Sequence, residues 1–130
     1  MKFPSKKVAQ ITSTSIPVYR NAAPVHCVIT LKQLRQLVEI KAANPKEAQN
    51  AAPSISEFLA DLTPFEDKVK LIGYIVYPPR NDARVSIEGF TCSNLSGDQT
   101  IEMLKDYWHA DERDADKQPD GSYNVRFWWD

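Results

Sequence analysis

The sequence contains few of the residues that build cofactor sites or covalent cross-links. Its 130 residues include two cysteines, two histidines and four widely separated glycines. Two cysteines are too few for a disulfide scaffold, and no cysteines or histidines cluster at the spacing of metal ligands. Dispersed glycines also exclude a phosphate-binding loop. We therefore expect folding without a disulfide, a metal or another cofactor.

Long apolar runs are absent as well. No stretch approaches the ~18 apolar residues that span a bilayer, and the first ten residues lack the apolar core of a signal peptide. The composition, 42% hydrophobic and 25% charged, fits a single globular domain over residues 1–130. The expectation is a soluble, cytoplasmic protein that does not bind membranes.

Catalytic motifs are the third absence. His26 and Cys27 are adjacent on a predicted strand, where neighbouring side chains point to opposite faces, so they cannot form a nucleophile–base pair. Pairing of His109 with Cys27 or Cys92 stays open, but no spacing supports it. Cysteines on apolar strands are typical core residues. The sequence therefore favours a protein that is not an enzyme.

Three helices are predicted from apolar periodicity and capping boxes, and they span residues 31–43, 54–62 and 97–109. The boxes pair Thr30 with Gln33, Ser54 with Glu57, and Ser96 with Gln99. In the second helix, Phe58 and Leu62 complete an unbroken apolar stripe and are expected in the core. In the third, Ile101, Leu104 and Trp108 form one apolar line.

Three strands are predicted at residues 68–77, 84–92 and 122–129. The first is apolar on both faces, which favours a central position and the strand order 84–92, 68–77, 122–129 in a mainly antiparallel sheet. The expected fold is therefore α+β, with about three helices packed on three strands. Residues 25–30 are expected to add an edge strand, residues 1–24 to form an extended arm or edge strand, and Ala110–Ser122 to form a polar loop.

Charge is distributed unevenly along the chain. Residues 1–46 carry eight basic side chains and one acid, whereas the remaining residues carry eight basic and sixteen acidic side chains. Lys32 and Arg35 lie three apart on the first predicted helix, hence side by side on its surface. They are expected to belong to a continuous positive surface that binds an acidic partner.

The order of two helices and a hairpin resembles a winged helix, with residues 78–83 as the wing and Arg80 at its tip. The second helix would then enter the major groove, but it carries Glu57, Asp61 and no basic residue. This charge has the wrong sign for contact with phosphates. Nucleic-acid binding is therefore expected only through the basic N-terminal third.

The C-terminal strand carries large aromatic residues on both faces. Val125, Phe127 and Trp129 alternate with Arg126 and Trp128, which predicts that the first set packs on the helices and the second points outward. An exposed tryptophan beside an arginine is typical of a protein-binding surface. Self-association is the simplest use of such a face.

These patterns predict a non-enzymatic protein-binding or regulatory module, such as a small accessory, inhibitor, adaptor or immunity-like protein. Its partner would be another protein or a second copy of the chain. The residues expected to contact it are Lys32, Arg35, Arg80, Arg126 and Trp128. The alternative is a nucleic-acid-binding protein that uses the basic N-terminal third.

Overall fold

A computed structural model describes residues 2–18 and 22–130. Within these ranges, helices α1–α4 span Ser5–Thr12, Leu31–Glu39, Ile55–Leu62 and Gly97–Asp106. A 3₁₀ helix, Thr63–Lys68, directly follows α3. Strands β1–β5 span Val25–Ile29, Val69–Val76, Arg84–Leu95, Glu112–Lys117 and Tyr123–Trp128. The α+β class is confirmed, but the prediction of three strands with about three helices is wrong.

The five strands form one antiparallel sheet in the order β1-β2-β3-β5-β4. The predicted order, with residues 68–77 between the other two strands, is therefore wrong, because β5 pairs with β3 and the far side of β2 is taken by β1. The 12-residue β3 occupies the centre. Residues 25–29 form the edge strand that the sequence suggested.

Two segments with polar sequences form regular elements. Residues 5–12 are helix α1 instead of an extended arm, because Val8 and Thr12, one turn apart, both lie buried against the core. The polar loop predicted at 110–122 contains strand β4, whose side chains are all exposed and which pairs with β5 through its backbone. Residues 1 and 19–21 of the predicted arm lie outside the described residues.

All three capping boxes are present, and each begins a helix where the sequence predicted one. Two helices end earlier than predicted. Helix α2 stops at Glu39, and Lys41 adopts a left-handed conformation with φ 63°. Helix α4 stops at Asp106, so Trp108 falls outside it and is 71% exposed instead of extending the apolar line.

The helices cover one face of the sheet. Phe58 and Leu62 of α3 are fully buried there, as predicted, together with Phe127 and Trp129 from the C-terminal segment. Aromatic rings meet edge-on in this core, and the ring centres of Phe58 and Trp129 are 5.8 Å apart. None of the helices in the described residues is both long and apolar enough to cross a membrane.

Candidate functional site

The opposite face of the sheet carries a mixture of apolar and charged side chains. Strand register and alternation place the following residues on this surface, called the open face here: His26, Val28, Lys70, Ile72, Tyr74, Gly89, Thr91, Glu112, Asp114, Asp116, Asn124, Arg126 and Trp128. Each of these except Gly89 is exposed or only half-buried, whereas their inward neighbours on β2, β3 and β5 are buried. Val76 and Ser86, on the same side near the β2–β3 connection, are also buried, so the face is covered at that end. Antiparallel sheets commonly leave one face free in this way.

An apolar row crosses four strands of the open face. Val28 on β1 is paired with Ile72 on β2, Ile72 with Gly89 on β3, and Gly89 with Trp128 on β5. Val28 is 53% exposed. The indole of Trp128 lies so close to Gly89 that a Cβ atom there would come within 3.0 Å of Trp128 Cδ1. The row therefore presents an aromatic ring and two branched side chains to solvent.

Arg126 holds the Trp128 ring from the adjacent position on the same face. Its guanidinium carbon lies 5.8 Å from the centre of the indole, within the range of a cation–π contact. The same guanidinium donates to Glu112 Oε1 on β4 at 2.7 Å. The ring, the cation and the carboxylate thus form one ordered group, which lowers the conformational entropy lost on binding.

A polar row lies beside the apolar one. Lys70, Thr91, Arg126 and Asp114 occupy successive positions across β2, β3, β5 and β4. The open face accordingly carries a positive charge on β2, at Lys70, and negative charges on β4, at Glu112, Asp114 and Asp116. The two halves of this face have opposite charge.

One end of the open face is closed by a network around Arg84. This side chain donates to Tyr74 Oη at 3.1 Å and to Asp82 Oδ2 at 2.8 Å, and it lies 3.4 Å from Glu47 Oε1. The hydrogen bond from Arg84 lowers the pKa of Asp82. Ser86 Oγ donates to Glu47 at 2.5 Å, so the loop that carries Glu47 is tied to the sheet.

The other predicted contact residues lie away from Arg126 and Trp128. Arg35 donates to Glu66 at 2.7 Å, which lowers the pKa of that carboxyl, and Lys32 is exposed nearby. Glu66 therefore interrupts the continuous positive surface expected from the sequence. Arg80 pairs with Asp82 at 2.8 Å in the β2–β3 connection. Of the five predicted contact residues, the two that the structure brings together are Arg126 and Trp128.

Sequence analysis missed Val28, Lys70 and Ile72 as members of the same surface. The signal was present in β2, whose residues are apolar on both faces. From sequence alone, that pattern favours a central strand covered on both sides. In the structure, Ile72 and Tyr74 are half-buried on the open face, so the second apolar face belongs to the surface.

Neither cysteine is suited to nucleophilic chemistry. Cys27 and Cys92 are buried, and burial raises the pKa of each thiol to about 11, with nearby Glu88 adding to the effect at Cys27. His109 Nδ1 accepts a hydrogen bond from Trp129 Nε1 at 3.0 Å. That histidine nitrogen is therefore occupied by the core tryptophan.

We expect both thiols to resist alkylation in the native protein, because thiolate is scarce near neutral pH and solvent access is low. With iodoacetamide, labelling should be slow until denaturant is added and then complete. Prior treatment with a reductant or a chelator should leave the Tm unchanged. Rapid native labelling of either cysteine would contradict the assigned packing.

Metal-ligating groups do not converge in the parts of the chain that the structure describes, where no three His, Cys, Asp or Glu side chains are placed to hold an ion. Comparison of the chain with protein-family models, with curated proteins and with solved structures found no match.

Proposed function

We propose that this chain is a non-enzymatic protein-binding module and that the open face of its sheet is the binding surface. The observation that carries the proposal is the row formed by Val28, Ile72 and Trp128, which lies on the side of the sheet opposite the helices. Apolar side chains aligned across strands and flanked by charges are typical of a protein interface.

The partner we propose is a second copy of the same chain. Because β3 is the central strand, a two-fold axis that runs parallel to β3 between two facing sheets places β2 over β5 and β1 over β4. Ile72 of each copy then faces Trp128 of the other. In the same arrangement Lys70 lies over Arg126, whose guanidinium already pairs with Glu112 of its own copy, so the apolar row and not charge pairing favours this dimer.

The size of the surface sets the expected strength of association. Five strands and about six residues along each strand give a footprint of about 20 Å by 20 Å. The resulting ~400 Å² per copy is at the low end for specific interfaces, where transient complexes are found. We therefore propose a reversible dimer that exchanges with the monomer.

Trp128→Ala is expected to weaken the dimer by at least about 30-fold, because truncating a central interface tryptophan commonly costs about 2 kcal/mol or more. Sedimentation equilibrium over a range of protein concentrations measures the change. Trp108→Ala is the matched control, since Trp108 is 71% exposed but lies outside the sheet. A wild type that stays monomeric throughout, or an equal effect of both substitutions, would contradict the proposal.

Nucleic-acid binding is a second candidate, and one observation favours it. Lys2, Lys6 and Lys7 surround a cleft of about 670 Å³ that no described acidic residue lines. If phosphates bind there, affinity for duplex DNA or RNA must fall steeply with salt, and Lys6→Glu with Lys7→Glu must remove it. Binding unaffected by these changes would exclude this candidate.

A further inference from the structure

A groove separates helices α3 and α4 on the helical side of the sheet. It has a volume of about 700 Å³, within the range of small-molecule sites. Its floor includes the apolar side chains Leu62, Phe65 and Met103 and the ring of Tyr107. The groove is distant in the fold from the open face and is not used by the proposed dimer.

Carboxylates line both walls of this groove. Glu57 and Asp61 lie one turn apart on α3, and Asp98, Glu102 and Asp106 lie at successive turns of α4. No lysine or arginine is among the described residues that line it. Burial raises the pKa of Asp61, and the charges of Glu57 and Asp106 add to the shift. The two walls therefore repel each other when the groove is empty.

The acids differ in how far their charge is already compensated. Glu57 accepts from the Ser54 backbone at 3.0 Å in the capping box, and Glu102 lies 4.0 Å from the exposed Lys105. Asp61 and Asp106 make no side-chain hydrogen bond or ion pair with any described residue. Their negative charge is available to a ligand.

Tyr107 supplies an independent indication of a ligand. Its ring packs against Phe90 and Trp129 with centres 5.0 and 6.0 Å apart, and the residue is only 5% exposed. Its hydroxyl forms no hydrogen bond with a described residue and is open to solvent in the groove. Burial and the charges of Asp61, Asp106 and Glu57 raise the pKa of this phenol. The side chain is buried in the core, but its hydroxyl reaches the groove beside three carboxylates, where it has both a free donor and a free acceptor.

We propose that the groove between α3 and α4 binds a linear aliphatic polyamine. Acids one turn apart on a helix are separated by about 6 Å along its axis, close to the separation of two nitrogens joined by an extended four-carbon linker. The methylene segments would lie on the apolar floor, and the ammonium groups would donate to the carboxylates and to Tyr107 Oη. A compact metal ion fits less well, since no three acids converge among the described residues.

Isothermal titration calorimetry with spermidine tests the proposal. Asp61→Asn with Asp106→Asn is expected to weaken binding by at least about tenfold, because two charge-assisted contacts are lost. Glu39→Gln with Asp67→Asn removes the same charge from two exposed acids that do not line the groove, and should leave spermidine affinity unchanged. If both pairs of substitutions weaken spermidine binding equally, the binding depends only on the net charge of the protein, and the proposal is wrong.

Tyr107→Phe separates a ligand contact from a structural one. Because the hydroxyl has no protein partner, its removal should leave the Tm unchanged while weakening spermidine binding by about tenfold. Asp61→Asn should raise the Tm near neutral pH, since the raised pKa means that the charged carboxyl destabilises the folded state. This gain should shrink as the pH falls through the raised pKa of Asp61 and disappear below its ordinary value of 3.8, where the acid becomes protonated in both states.

Two competing ligands complete the experiment. Magnesium chloride at equal ionic strength should give no groove-dependent heat, and a tetralysine peptide should bind more weakly than spermidine. Tighter binding of the peptide would assign the groove to a protein segment and overturn the proposal. Absence of spermidine binding at low salt would do the same.

Discussion

Phe58→Ala is expected to lower the free energy of unfolding by about 3–5 kcal/mol, the usual cost of truncating a buried phenylalanine. The Phe58 ring is fully buried and joins α3 to the sheet through edge-on contacts with Phe90 and Trp129, whose ring centres are 6.0 and 5.8 Å away. A loss of this size is comparable with the whole stability of many domains. Urea unfolding followed by circular dichroism measures it.

Ser56→Ala is the control for this prediction, because Ser56 is exposed on the same helix. It should change the unfolding free energy by less than about 0.5 kcal/mol. If Phe58→Ala unfolds at the same urea concentration as the wild type, α3 does not anchor the core and the assigned packing is wrong.

Gly73→Ala is expected to destabilise the protein by about 3 kcal/mol or more, at the upper end of overpacking effects. A Cβ atom on Gly73 would lie 2.1 Å from the carbonyl oxygen of Ser86, which is backbone of the adjacent central strand. The register between β2 and β3 shifts immediately before this residue. Relief of the clash therefore requires β2 and β3 to separate at Gly73.

Gly97→Ala is the matched substitution for Gly73→Ala. At Gly97 the nearest atom to an added Cβ is Tyr123 Cε2 at 3.9 Å, an ordinary contact, so the Tm should not fall. Thermal unfolding of the two variants side by side makes the comparison. Equal Tm values for Gly73→Ala and the wild type would show that β2 and β3 are not paired in the assigned register.

The sequence predicts the features that depend on local chemistry. A capping box requires two side chains three residues apart, so Thr30, Ser54 and Ser96 mark their helices without tertiary information. Alternation in the last strand likewise predicts correctly that Phe127 and Trp129 face the helices. These signals require no knowledge of which strand pairs with which.

Features that depend on the sheet as a whole are not encoded locally. Strand β4 has no buried side chain, so hydrophobic alternation cannot reveal it, and its pairing depends on the backbone of β5. Helix α1 carries serine and threonine residues that also suit an extended segment, and its burial depends on contact with the core.

The residues of the candidate site likewise include some that the sequence can place together and some that it cannot. Arg126 and Trp128 are two residues apart on one strand, so alternation alone places them on the same face. Val28 and Ile72 join them only through the register of β1, β2 and β3. The acidic groove brings α3 and α4 together although 34 residues separate Leu62 from Gly97 along the chain, and no spacing rule predicts that approach.

In the proposed dimer, two copies meet through their open faces with β2 over β5. An isotope-filtered nuclear Overhauser experiment on a mixture of labelled and unlabelled protein tests this arrangement most directly. Intermolecular contacts are expected between the Ile72 methyl groups of one copy and the Trp128 indole of the other. A dimer without these contacts, or a protein that stays monomeric under the same conditions, would contradict this arrangement.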